Sequence, residues 1–251
     1  MPGNPTPTRF PETGVSDRDV TSVLGNLPYL DPTRHHVFFD DFNSYAAADW
    51  VVTETQAGAT QATLSGDGGH LALVNSAADD DVNSLQQAFP SFTFTAGKAL
   101  AGKIRFKVSD ATQSDLLIGL FAVDTSPIAS APTDGFGFLK SDAAATILFE
   151  VGTASVYGTT AALATLADDT FYTFGWYCSG RAYVKPSDGL SYYAFDVYGG
   201  TGHDPAFITR LEVLTTAMPG ATVMAPTLCL QNGEAVAKTL TVDYILISKE
   251  R

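Results

Sequence analysis

From Val37 onward the chain is written in short alternating runs. KIRFKV (103–108) puts apolar side chains on one face and charged ones on the other, the signature of a half-buried strand. DLLIGLFAV (115–123), TILFEV (146–151), FYTFGWYC (171–178), ITRLEVL (208–214) and TLTVDYILI (239–247) read as further strands. WVVTETQ, HLALVN, SFTFT, GFGFLK, RAYVK and TVMAPTLCLQ are weaker ones. Turn clusters separate them: SGDGG, ASAPTDG, ADD, PSDG, YGGTGHDP, MPG and QNGE. Hardly any helical period is present, and the alternating βα rhythm of a parallel sheet is missing. The pattern predicts an all-β domain over 37–251, an antiparallel two-sheet β-sandwich of jelly-roll type.

Residues 1–36 follow a different rule. They hold six of the thirteen prolines: Pro2, Pro5, Pro7, Pro11, Pro28 and Pro32. Proline lacks a backbone donor and fixes φ, so this stretch is expected to form an extended N-terminal arm rather than join a sheet interior. Within it, SDRDVTSVLGNL predicts one short helix, with Ser16 as cap and Gly25 at its end. The arm also carries Phe10, Val15, Val20, Val23, Leu24, Leu27, Tyr29 and Leu30. A pure linker has no use for so many apolar side chains. They anchor the arm either on its own domain or on a partner.

Composition narrows the function classes. Hydrophobic residues make up 45% of the 251, enough for a packed core. Charged residues are only 16%, a mild surface that suits a protein in contact with neighbours. The net charge of −13 disfavours nucleic-acid binding through a basic patch. No signal peptide and no run of 18 apolar residues is visible, so neither export nor a membrane is expected, and synthesis is placed in the cytoplasm. Cys178 and Cys229 both lie in apolar runs and read as buried reduced thiols, with a disulfide left open.

Candidate chemistry is sparse. Asp40 and Asp41 in VFFDDFN are neighbours on an expected strand, so they point to opposite faces and cannot converge on one substrate. Glycoside hydrolysis needs two carboxyls on one cleft, and none of the six glutamates has a carboxylate two positions away. The aspartates of NSAADDDVN lack the spacing of a calcium loop and predict a solvated turn. SGDGGH predicts a hairpin turn. His35, His36, His70 and His203 show no zinc spacing, and no nucleophile elbow or phosphate loop occurs, although GFGF comes superficially close. No metal, no cofactor and no enzymatic activity are expected. FYTFGWY is expected in the core. Tyr192, Tyr193 and Tyr198 lie in a Gly-rich stretch that predicts an exposed loop. Tyr193, Tyr198 and Asp204 are the candidate glycan contacts.

Three segments carry a resemblance: VFFDDFNSYAAADW, KIRFKVSDATQSDLLIGLF and TLTVDYILI. Together they resemble concanavalin A-like, laminin G-like jelly rolls. The resemblance implies that the first and last strands are sheet neighbours, with Asp40 or Asp41 and Asp243 near that seam. The order of motifs after LDPTRHHVFFDDF is similar to that of tailed-bacteriophage virion proteins over residues 30 to 250. What this implies is a capsid decoration, or cement, protein. It would be a homotrimer on the outer capsid surface of the virion, bound between major capsid protein subunits and clipped on by the arm. The alternative is a carbohydrate- or receptor-binding module of a phage tail fibre.

Overall fold

The computed structural model describes residues 33–65 and 68–251. The expected arm helix and all eight apolar arm residues lie outside the described residues, as does Asp67 of the expected hairpin turn. Sixteen strands occur among the described residues, in chain order. The first eight are β1 (His35–Asp40), β2 (Trp50–Glu54), β3 (Thr60–Leu64), β4 (His70–Val74), β5 (Val82–Gln87), β6 (Leu100–Val108), β7 (Ser114–Phe121) and β8 (Asp134–Lys140). The rest are β9 (Thr146–Thr153), β10 (Val156–Thr165), β11 (Tyr172–Cys178), β12 (Tyr183–Val184), β13 (Ser191–Gly200), β14 (Ala206–Leu214), β15 (Ala225–Asn232) and β16 (Thr239–Glu250). No α-helix occurs among the described residues.

The strands form two antiparallel sheets packed face to face. One has seven strands in the order β10-β9-β8-β7-β15-β5-β2. The other has nine, running β12-β13-β11-β6-β16-β4-β3, with β1 added to β16 and β14 to β13. First and last strands are therefore neighbours, with Asp40 opposite Ile245. β1 opens at His35, two residues ahead of the expected domain start. Asp243 falls at a break in the β6–β16 register and pairs with Arg105 at 2.6 Å. The order of strands is that of a jelly roll.

Alternation sets the core. On β6, Ile104, Phe106 and Val108 are buried between the sheets. Phe174, Trp176 and Phe195 meet Phe136, Phe138 and Phe149 from the opposite sheet, so the expected core role of FYTFGWY holds. Cys178 and Cys229 are buried free thiols. Burial pushes them up to about 11 and about 12, which makes them inert at neutral pH.

Several expectations need correction. SFTFT is not a strand; only Phe92 bridges, to Met224. The Asp79–Asp81 turn is not fully solvated. Asp81 is buried and accepts from the Ser76 N–H (2.6 Å) and the Thr55 hydroxyl (3.1 Å), because the turn has to close against β2 and β15. The Tyr192–Tyr198 stretch is not a loop but β13, paired with β11 on one side and with β12 and β14 on the other.

Candidate functional site

The expected glycan contacts do not assemble. Tyr193 is 8% exposed and packs edge-on against Phe94 in the core. Tyr198 is 2% exposed and meets Phe207 edge-on. Their buried rings offer no face on which a sugar could stack. Asp204 lies in an exposed bend between β13 and β14. The cause is pairing on both sides of β13, which turns an aromatic, Gly-rich stretch into a central strand.

Asp40 and Asp41 serve their own turn. Asp40 Oδ1 accepts the Phe42 N–H (2.8 Å), and Asp41 Oδ2 accepts the Asn43 amide (2.7 Å). Phe42 sits in the left-handed region at φ 53° and buries its ring beside Trp50. The two carboxylates therefore hold the chain reversal that turns Phe42 inward. Burial, ahead of the nearby Asp41 and Asp49 charges, raises the Asp40 carboxyl above its usual range despite the Phe42 N–H. His36 lies tilted against Phe92 and hydrogen-bonds Ser91, and His70 stacks on Phe171. Among the described residues no group of three His, Cys, Asp or Glu side chains is placed to hold a metal ion.

A concave site does exist on the outer face of the seven-stranded sheet. Side chains alternate on β7: Leu116, Ile118 and Leu120 enter the inter-sheet core, while Leu117 and Phe121 point outward. With Val82 and Cys229 they form a second apolar cluster. The 122–133 connection crosses over it and sets Ile128 on top. That connection is tied down at its start, where the Asp124 N–H donates to Gln86 Oε1 (2.9 Å) and the Ala122 N–H to the Asp134 carbonyl (2.8 Å). The glycines of GFGF have a structural use here. A Cβ on Gly135 would lie 2.2 Å from the Phe121 ring, so only glycine lets that ring lie on the sheet. The Tyr157 ring covers Gly152 in the same way.

Beside this cluster runs a cavity of about 150 Å³. Pro127, Ile128, Ala131 and Pro132 form one wall, and Leu117 and Leu139 lie along the sheet. Its polar residues are Asp115, Lys140, Ser141, Glu150 and Tyr157. At one end, Lys140 Nζ donates to the carbonyls of Ser114 and Ser141, and Asp115 accepts the Asp142 N–H (2.9 Å). Burial lowers the Lys140 ammonium and raises the Asp115 carboxyl, each away from its charged form. At the other end Glu150 is 7% exposed, and burial alone raises its carboxyl. The Tyr157 hydroxyl is buried there with no hydrogen-bond partner, and burial, then the nearby acids, raises it.

The two ends are far apart. Glu150 is in register with Gly137, and Gly137 with Gly119, whereas Asp115 stands four residues back along β7. Two strand spacings and four residues separate the Cα atoms by roughly 16 Å. A glycosidase pair needs carboxyls about 5–10 Å apart. None of these groove residues was singled out by sequence, although Lys140 and Glu150 end or lie within runs read as strands.

No family model matches the chain, and no curated protein matches it. Solved structures do. A protein of unknown function from Shewanella oneidensis MR-1 superposes with a TM-score of 0.55 at 16% identity, over 86% of this chain and 87% of that one. An endo-1,3-β-glucanase from Streptomyces sioyaensis gives 0.57 at 13%, over 87% and 98%. A seed lectin from Lotus tetragonolobus gives 0.52 at 6%, over 85% and 98%. At such identities the likeness is one of fold, and the fold it establishes is the concanavalin A-like, lectin-type jelly roll.

Proposed function

We propose that this chain is a non-catalytic structural protein of a bacteriophage particle. In this reading it decorates and stabilises the outer capsid surface as a homotrimer, bound between major capsid protein subunits and anchored by its N-terminal arm. One observation carries the reading. The Pro-rich segment feeds directly into β1, which is hydrogen-bonded to β16 on one side, and whose Phe39 is 58% exposed. In this reading an arm attached at such an edge would be placed to reach a surface that the domain touches. Linking a weak domain contact to a second, arm-borne contact raises apparent affinity without new chemistry. The roughly 16 Å between the Cα atoms of Asp115 and Glu150 disfavours these two as a glycosidase pair.

The test is a truncation. β1 begins at His35, so residues 1–32 are the segment to remove; cutting to 36 would delete two residues of a core-bearing strand. The shortened chain is expected to keep its far-UV spectrum and melting temperature, and to lose roughly tenfold or more in occupancy on undecorated capsids. Full decoration by the shortened chain would sink the arm-anchored reading. The likeness to a glucanase and a lectin favours a second reading, a carbohydrate- or receptor-binding module of a tail fibre. Cryo-EM density at the tail alone would select it.

A further inference from the structure

Glu150 is a buried carboxylate with no internal donor. Other buried charges of the sandwich are held: Asp81 by Thr55 and Ser76, Asp134 by Thr153 and Thr222, Lys140 by two carbonyls, Lys238 by Asp110 and Glu234, and Asp243 by Arg105. No described residue donates a hydrogen bond to the Glu150 carboxylate. Burial disfavours the charged form of this carboxyl, and a cation seated beside it would favour that form again. The one cation of the groove, Lys140, is turned to backbone carbonyls at the far end.

The surroundings specify what would fit. The residue beside Glu150 on β8 is Gly137, over which the edge of the Phe121 ring lies, so that side brings the carboxylate no donor. The Tyr157 hydroxyl stands in the same cavity, buried and unpartnered. From there the lining is aliphatic, through Leu139 and Leu117 under Ile128 and Pro132. We propose that this groove receives an alkylammonium group, the side chain of a lysine on a partner protein. Its four-carbon stem would lie along the aliphatic walls, and its ammonium would donate to Glu150 and to the Tyr157 oxygen. A compact ammonium with three donors suits one carboxylate and one hydroxyl. A guanidinium could meet the Glu150 carboxylate edge to edge, but its five donors would exceed what one carboxylate and one hydroxyl among aliphatic walls can accept. A sugar ring needs several open polar groups, and the other charged groups of the groove, Lys140 and Asp115, are already engaged. The net charge of −13 steers cations toward the chain in general. The proposal stands whether the partner belongs to a capsid or to something else.

The probe is Nα-acetyl-lysine N-methylamide, titrated at neutral pH into the full chain and followed by amide chemical shifts. The neutral Nα-acetyl-norleucine N-methylamide is the control. Saturable binding in the millimolar range is expected for the lysine probe, with shifts centred on Glu150, Tyr157 and Leu139. The norleucine probe and the Glu150→Gln variant should each bind about tenfold or more weakly, a loss of about 1.4 kcal/mol or more. Tyr157→Phe keeps the ring over Gly152 and should weaken binding by a smaller factor, which guards against a Glu150→Gln chain that misfolds. Three results would overturn the proposal: equal binding of both probes, undiminished binding by folded Glu150→Gln, or no saturation by the lysine probe up to about 100 mM.

Discussion

Asp110 and Glu150 show opposite uses of a carboxylate in one sandwich. Asp110 follows β6 and accepts from the Thr112 and Gln113 N–H groups (2.9 and 2.8 Å) and from Lys238 Nζ (2.7 Å). Burial pushes its carboxyl up, but the Lys238 and backbone donors together outweigh that and bring it down to about 2. The unfolded value is 3.8, so the folded state binds the proton more weakly. Its stabilising contribution is complete above pH 3.8 and is lost as pH falls through about 2. The shift corresponds to about 2 kcal/mol. Asp110→Asn is therefore expected to lower unfolding free energy by about that amount at pH 7 and to have little effect at pH 2 or below. Denaturant titrations at the two pH values check this; an equal loss at both would assign the effect to packing. Glu150 has the reverse sign. Its raised carboxyl costs stability above the unfolded value of 4.5, and that cost disappears as pH falls below it.

At the scale of elements, β6 and β11 are joined by more than their ladder. Trp176 stands opposite Gly102, and a Cβ on Gly102 would lie 2.2 Å from the indole ring. The indole also meets Phe136, Phe138 and Phe149 of the facing sheet, so it has nowhere to retreat. Gly102→Ala is expected to cost roughly 1–3 kcal/mol through overpacking, read as a fall in melting temperature of about 2–4 °C for each kcal/mol. No change in Tm would mean the ring can shift. Strands such as β6 and β16 were legible because one face is apolar. Four others were not. β3 (TQATL) offers no apolar stripe, and β5 (VNSLQQ) buries Asn83, Ser84 and Gln86 on both faces, so no alternation survives. β10 is rich in Thr and Ala, and β13 carries turn-like Tyr-Tyr and Gly-Gly pairs. The groove was hidden for a different reason. Glu150 is one acid in TILFEV, and its isolation depends on Gly137 of the next strand and on a loop crossing from β7.

On the scale of the whole molecule, the question is whether two large sheets melt together. Chains of this length often unfold through intermediates. Here one continuous core cluster joins both sheets and runs from Trp50, at the β1–β2 end, to Trp176 in the middle. Phe38 of β1 and Phe42 pack on Trp50, so even the first strand shares that core. No disulfide or metal divides the described residues into separately stabilised units. The two tryptophans are therefore independent reporters of one transition. In single-tryptophan variants, Trp50→Phe and Trp176→Phe, the fluorescence midpoints in urea should stand in the same relation to each variant's own far-UV midpoint, coincident in both. If the Trp50 signal is lost well before the far-UV signal, the β1–β2 end is a separate, weaker unit. That outcome would bear on function as well as folding. On the proposed reading, an arm attached to an end that opens on its own would transmit little load to the sandwich, whereas an arm attached to the shared core would tie whatever it gripped to the stability of the whole domain.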